Sequence, residues 1–212
     1  HTWFNYGITF LWLVILTNAF NLLDICDGLC VSQAIICTLG LAFIALPGEL
    51  WYVNFSALGL LGSCLAFWPH NHIRYKLFLG DSGSTFLGFM IAAISMATQY
   101  SQQNFYGYAA ALFIVAVPLL DTAFVTTARL LQGKNPLQGS ADHLALLLKK
   151  EKNFSNPAVL TTFGVTGIIC NLLAYAITQI STGHTPIIIL SSLLGAGILL
   201  LWLLQKLPTF TH

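Results

Sequence analysis

Two amides and two acids close the first hydrophobic run of the chain: Asn18, Asn21, Asp24 and Asp27, each three residues from the next, with Gly28 ending the stretch. A charged side chain at membrane depth is expensive, so acids at the end of an apolar helix usually face a cavity, an ion or a partner. Residues three apart share a helical face, so a helix continued through Asp27 would turn these oxygens toward a single cation or polar ligand. Gly28 marks the expected break. The same residues also suit an ordinary helix exit with polar caps, and this stretch alone leaves both readings open.

A second stretch runs Lys76-Leu-Phe-Leu-Gly80-Asp81-Ser82-Gly83-Ser84-Thr85-Phe-Leu-Gly88. Glycines let backbone N–H groups approach an anion, and a helix that starts here adds its positive dipole end, which is the chemistry of a phosphate site. Asp81, an acid among such donors, suits a Mg²⁺ that bridges phosphate oxygens. The competing reading is a helix cap with Ser82 or Ser84 at the N-cap, which accounts for the serines better than for Asp81 and the paired glycines.

Three further features carry less. Pro118-Leu-Leu-Asp121 puts an acid about two turns before Arg129, where a structural ion pair is the expectation. Residues 129–152 form the longest hydrophilic piece; its lysines suit a solvated basic loop, and Asp142-His143 is what that reading leaves over. His70-Asn71-His72 lacks the dispersed setting of a nuclease motif and is set aside. The cysteines, Cys26, Cys30, Cys37, Cys64 and Cys170, lie in or beside apolar runs and read as small hydrophobes.

The elements that would position these groups are membrane helices. The chain of 212 residues is 57% hydrophobic and 7% charged with a mean hydropathy of +0.79, which excludes a soluble domain. About seven apolar runs approach the roughly twenty residues a bilayer requires: 3–20, 29–46, 50–68, 84–99, 105–128, 157–180 and 185–204. The expected fold is therefore all-α, a polytopic helical bundle forming one integral-membrane domain over residues 1–212.

Seven spans put Arg74 and Lys76, then Arg129, Lys134, Lys149, Lys150 and Lys152, then Lys206 all on one side, while the opposite loops carry no Lys or Arg. By the positive-inside rule the basic side is cytoplasmic, and the loops of Asp24, Asp81 and His143 share it. Trp3, Trp51, Tyr52, Trp68, Tyr106 and Trp202 near span ends suit interfacial belts. The chain begins at His1 with no charged leader, so it is expected to be part of a longer protein that has further N-terminal helices.

These residues resemble the polyprenyl-phosphate N-acetylhexosamine-1-phosphate transferases, the family that includes phospho-MurNAc-pentapeptide translocase and the GlcNAc-1-phosphate transferases initiating cell-wall and O-antigen polymers. Asn18-Ala-Phe-Asn21-Leu-Leu-Asp24 through Asp27-Gly28-Leu is similar to its Asn-rich, double-aspartate motif. Phe78-Leu-Gly80-Asp81-Ser-Gly83-Ser84 resembles its metal-binding loop, and Pro118-Leu-Leu-Asp121 and Asp142-His143 follow in the family's order. Three differences stand out. The adjacent Asp-Asp pair that precedes the first motif in the family is absent, as expected if N-terminal spans are missing. Ile25 stands where a glycine is usual. Ala145 and Leu146 stand where further histidines are common, which argues against the pentapeptide-binding branch.

The resemblance implies that Asn21 and Asp81 hold Mg²⁺, with Mn²⁺ as an alternative. Asp24 and Asp27 would line the nucleotide pocket, and His143 would contact sugar or phosphate. Asp81, Asp24, Asp27 and His143 are the implied catalytic group, and Asn18, Gly80, Ser82 and Gly83 join Asn21 among the substrate-binding residues. The implied partners are a UDP-N-acetylhexosamine, a polyprenyl (undecaprenyl) phosphate and membrane lipid, with no nucleic acid and a homodimer as the candidate assembly. The implied setting is the cytoplasmic face of a bacterial inner membrane. Two rivals remain: an ion-coupled transporter, which should show inverted repeats and acids at span centres, and a catalytically degenerate homologue with an assembly role.

Overall fold

A computed structural model describes residues 2–46, 51–74, 77–101, 104–135, 143–180 and 183–205. Asp142, Lys76, Lys206 and the Pro47-Gly48-Glu49 loop lie outside them. Every regular element among the described residues is helical: α1 Thr2–Leu23, α2 Leu29–Ala45, α3 Trp51–Pro69, α4 Gly80–Ala97, α5 Ala110–Ile114, α6 Ala116–Leu131, α7 Leu144–Lys152, α8 Asn156–Gln179 and α9 Thr185–Gln205. A π-turn, His70–Arg74, extends α3, and a 3₁₀ turn, Phe105–Ala109, leads into α5.

Three of these are long and apolar enough to cross a bilayer: Thr2–Leu23, Trp51–His72 and Asn156–Gln179. A fourth is counted if Phe105–Ile114 and Ala116–Leu131 form one broken span. The expected seven spans are therefore not confirmed. Helix α2 has 17 residues, about 25 Å at 1.5 Å each, against a hydrocarbon core of about 30 Å. Helix α4 begins with the polar residues Gly80 to Thr85.

The run 105–128, expected to be one span, bends by 66° where α5 meets α6. Pro118 has no N–H to give to the carbonyl of Ile114, so the ladder breaks there. The thiol of Cys37 donates to that carbonyl at 3.1 Å, so this cysteine has a hydrogen-bonding role as well as its packing.

Helices α1 and α4 run antiparallel in close register. Trp12 Nε1 donates to Ser95 Oγ at 2.9 Å, and one end of the pair closes with Asn21 Nδ2 on Ser84 Oγ at 3.1 Å. Between them, a Cβ on Gly88 would lie 2.7 Å from the Leu16 carbonyl oxygen and 2.8 Å from the Thr17 Cα, so only glycine lets the backbones meet. The main core joins Leu16 and Phe20 of α1 to α2, α3, α4 and α5. A smaller apolar cluster holds Leu23, Cys26 and Leu29 against Ala145 of α7 and Val159, Leu160 and Phe163 of α8. Many large apolar side chains point outward, among them Phe10, Phe43, Phe55, Phe86 and Leu172, as lipid-facing helices require.

Candidate active site

The first motif does not stay on one helix. Helix α1 ends at Leu23, so Asn18 and Asn21 are helical while Asp24 and Asp27 occupy the turn into α2. Gly28 closes that turn with φ +84°, a conformation glycine adopts without penalty. Its N–H donates to Asn71 Oδ1 at 2.8 Å, and Asn71 Nδ2 donates to the Leu77 carbonyl at 2.7 Å. Asn71 is 4% exposed. One buried amide therefore ties the Asp24/Asp27 turn to the segment leading into Asp81. The π-turn after Pro69 delivers it. The sequence signal was an amide just past a proline at a span end, in the motif set aside above. From the far side, Asn156 Nδ2 donates to the Asp27 carbonyl at 3.1 Å.

Asp81 stands in the first turn of α4, exposed, and accepts from Asn21 Nδ2 at 3.3 Å. The two residues that the resemblance assigns to one cation are thus in contact. Asn18 turns its amide back to the Val14 carbonyl of its own helix at 2.9 Å. Ser84, fully buried, accepts from Asn21, whereas Ser82 is exposed. Neither serine caps α4: its N-cap is Leu79, whose side chain makes no capping hydrogen bond. Gly80 has φ +67°, so a glycine is needed at the entry to the helix.

Burial first, then the negative charges of Asp81 and Asp27, push the Asp24 carboxyl up to about 6. All the influences on Asp24 thus oppose its charge. Carboxylate and amide oxygens are the ligand type that a hard divalent cation takes. Among the described residues no three His, Cys, Asp or Glu side chains converge as a ready-made metal cage.

Asp121 pairs with His143 and not with Arg129, the partner expected for it from the sequence. Its Oδ2 lies 2.8 Å from His143 Nδ1, and its Oδ1 accepts from the Leu144 N–H at 3.0 Å. Arg129 Nε donates to the Asn135 carbonyl. The residues after His143 pack on the acidic turn, with Ile25 and Cys26 in the same cluster as Leu144 and Ala145. The His143 segment thus borders the Asp24/Asp27 turn.

A family model described as Glycosyl transferase family 4 matches residues 1–99. The chain is 35% identical over 135 residues to a probable undecaprenyl-phosphate N-acetylglucosaminyl 1-phosphate transferase of Bacillus subtilis, covering 64% of the chain and 37% of the relative. It is 31% identical over 175 residues to the decaprenyl-phosphate N-acetylglucosaminephosphotransferase of Mycolicibacterium smegmatis, covering 74% and 43%. It is 28% identical over 156 residues to the undecaprenyl-phosphate alpha-N-acetylglucosaminyl 1-phosphate transferase of Escherichia coli, covering 69% and 41%. The chain therefore spans about two fifths of the length of these relatives.

Proposed function

This chain belongs to glycosyl transferase family 4, and from that premise we propose that it carries the catalytic face of a polyprenyl-phosphate N-acetylhexosamine-1-phosphate transferase. In the proposed reaction an oxygen of the polyprenyl phosphate attacks the sugar-bearing phosphorus of a UDP-N-acetylhexosamine. The bond from that phosphorus to the bridging oxygen breaks, and UMP leaves with the electron pair. The product is a lipid-linked pyrophosphoryl sugar.

Joining two anions calls for charge neutralisation and alignment more than for covalent help. Asn21 and Asp81 would hold Mg²⁺, or Mn²⁺ in its place, which supplies neutralisation at the pyrophosphate oxygens. Asp24 and Asp27 line the nucleotide side. The first amides of α4, which the N-cap residue Leu79 does not cap, would donate to phosphate oxygens, with Gly80 and Gly83 beside them. His143 would contact the sugar or a phosphate. The basic residues support a cytoplasmic setting for this face, at a bacterial inner membrane, where a soluble nucleotide would meet a lipid phosphate.

The observation that supports this most is the 3.3 Å contact between Asn21 and Asp81, which joins two motifs 60 residues apart at the open end of one helix pair. The transporter reading expects acids at span centres, whereas Asp24 follows the last residue of α1 and Asp81 sits in the first turn of α4. The test is UMP release by the full-length protein given UDP-N-acetylhexosamine and polyprenyl phosphate. Asp81→Asn should lower it roughly a hundredfold or more while the protein stays folded. Near-wild-type turnover of that variant at limiting Mg²⁺ would remove Asp81 from the metal site.

A further inference from the structure

Asp121 and His143 form a buried pair of which the reaction as described uses only the histidine. Their side chains are 1% and 2% exposed and meet at 2.8 Å. One carboxylate holds two adjacent residues through separate oxygens, the ring of His143 by Oδ2 and the backbone N–H of Leu144 by Oδ1. The ring therefore cannot turn independently of the start of α7. No side chain caps that helix from the N-cap position, which is His143 itself, so Asp121 in α6 supplies the acceptor from outside. The pair also depends on the break at Val115, because the bend there sets the course of α6 and with it the position of Asp121.

A carboxylate facing an imidazole nitrogen keeps the shared proton on the ring, because the carboxylic acid is the stronger acid of the two. With Nδ1 as the donor, the lone pair of the neutral ring lies on Nε2. Burial sharpens this choice, since it keeps bulk solvent from replacing the carboxylate as the partner of Nδ1.

We infer that Asp121 is the positioning residue of His143, holding it as the Nδ1–H tautomer so that Nε2 accepts a hydrogen bond from a hydroxyl or the acetamido N–H of the hexosamine. An ionised phosphate oxygen has no proton to give and would set lone pair against lone pair. The proposal rests on the reading of His143 as a substrate contact and narrows it from sugar or phosphate to a donor group on the sugar.

Asp121→Asn separates the two functions of the carboxylate. The amide oxygen still accepts from Leu144, but the NH₂ now faces the ring, and His143 must offer its lone pair at Nδ1 and carry its proton on Nε2. The ¹⁵N spectrum of histidine-labelled full-length protein, with the ring neutral, reads the tautomer without any turnover. The expected result is a protonated Nδ1 in the wild type and a protonated Nε2 in Asp121→Asn. The KM for UDP-N-acetylhexosamine should rise roughly tenfold in Asp121→Asn and in His143→Ala, with no further rise in the double variant. The KM for polyprenyl phosphate should not move.

A bare Nδ1 in the wild type overturns the proposal, and needs no variant to fold. So does a reversed tautomer in Asp121→Asn with an unchanged sugar KM. Wild-type protein that releases no UMP would instead sink the transferase reading and the substrate half of the inference, while the ¹⁵N spectrum would still decide whether Asp121 governs His143.

Discussion

Two helix pairs in this molecule are built by the same device and do different things. In α1–α4, Gly88 lets the backbones approach and Asn21 reaches across to Ser84 and Asp81. In α2–α8, Gly40 lies against the Asn171 side chain and Gly167 against Gln33, and Asn171 Nδ2 donates to the Ile36 carbonyl at 2.9 Å. Small residues and an amide thus join both pairs. The difference is where the polar groups lie. Gln33 is 1% exposed and locked in packing, whereas Asn21 is half-buried and Asp81 open, at the end of their pair beside two more acids. An amide across a helix pair becomes a candidate site only where the pair ends among charges that a ligand can reach.

The comparison breaks most visibly at the glycines. Gly88→Ala drives a Cβ into backbone, which must move; we expect a loss of about 3 kcal/mol and separation of Asn21 from Asp81. UMP release should fall roughly a hundredfold. At Gly40 the first obstacle is the Asn171 side chain, which can turn aside, so Gly40→Ala should cost about 1 kcal/mol and leave transfer near wild type. Thermal unfolding in detergent and UMP release measure both, and equal effects at the two glycines would end the distinction.

The amides give a smaller contrast. Asn71→Ala leaves the Gly28 N–H and the Leu77 carbonyl without their partner, at about 1–3 kcal/mol each, and should loosen the acidic turn enough to slow transfer roughly tenfold. Asn171→Leu removes one bond to a helix carbonyl, about 1 kcal/mol, with turnover unchanged. If Asn71→Ala lowers stability alone, it is no more a part of the site than Asn171.

The smallest expected effect is in pH. The Asp24 carboxyl is raised from 3.8 to about 6 in the folded protein. The fold thus binds this proton more tightly than the unfolded chain does. The resulting stabilisation is complete below pH 3.8 and is lost as pH rises through about 6. Mg²⁺ favours the ionised form, so it should shift the titration downward and bind more weakly below pH 6. Carboxyl ¹³C shifts, assigned by difference from Asp24→Asn, would follow this, and a midpoint indifferent to Mg²⁺ would place the cation away from Asp24.

Much of this was legible in the residues. Hydropathy alone made the chain an all-α membrane protein, because lipid leaves the backbone no other partner than its own helix. The polar stretches at 18–28 and 80–88 stood out against an apolar background, and the family resemblance they carry implied that Asn21 and Asp81 belong together. Local pattern could not show that α1 stops at Leu23 and leaves Asp24 and Asp27 in a turn, since the Asn71 bond that holds the turn comes from a distant helix end. Nor could it show that the run at 105–128 is broken, or that the structural acid Asp121 faces His143. The number of spans depended likewise on where helices end and bend. Composition and spacing determined which groups had to be satisfied, and only the tertiary structure decided which partner satisfied each, because those partners lie tens of residues away in the chain.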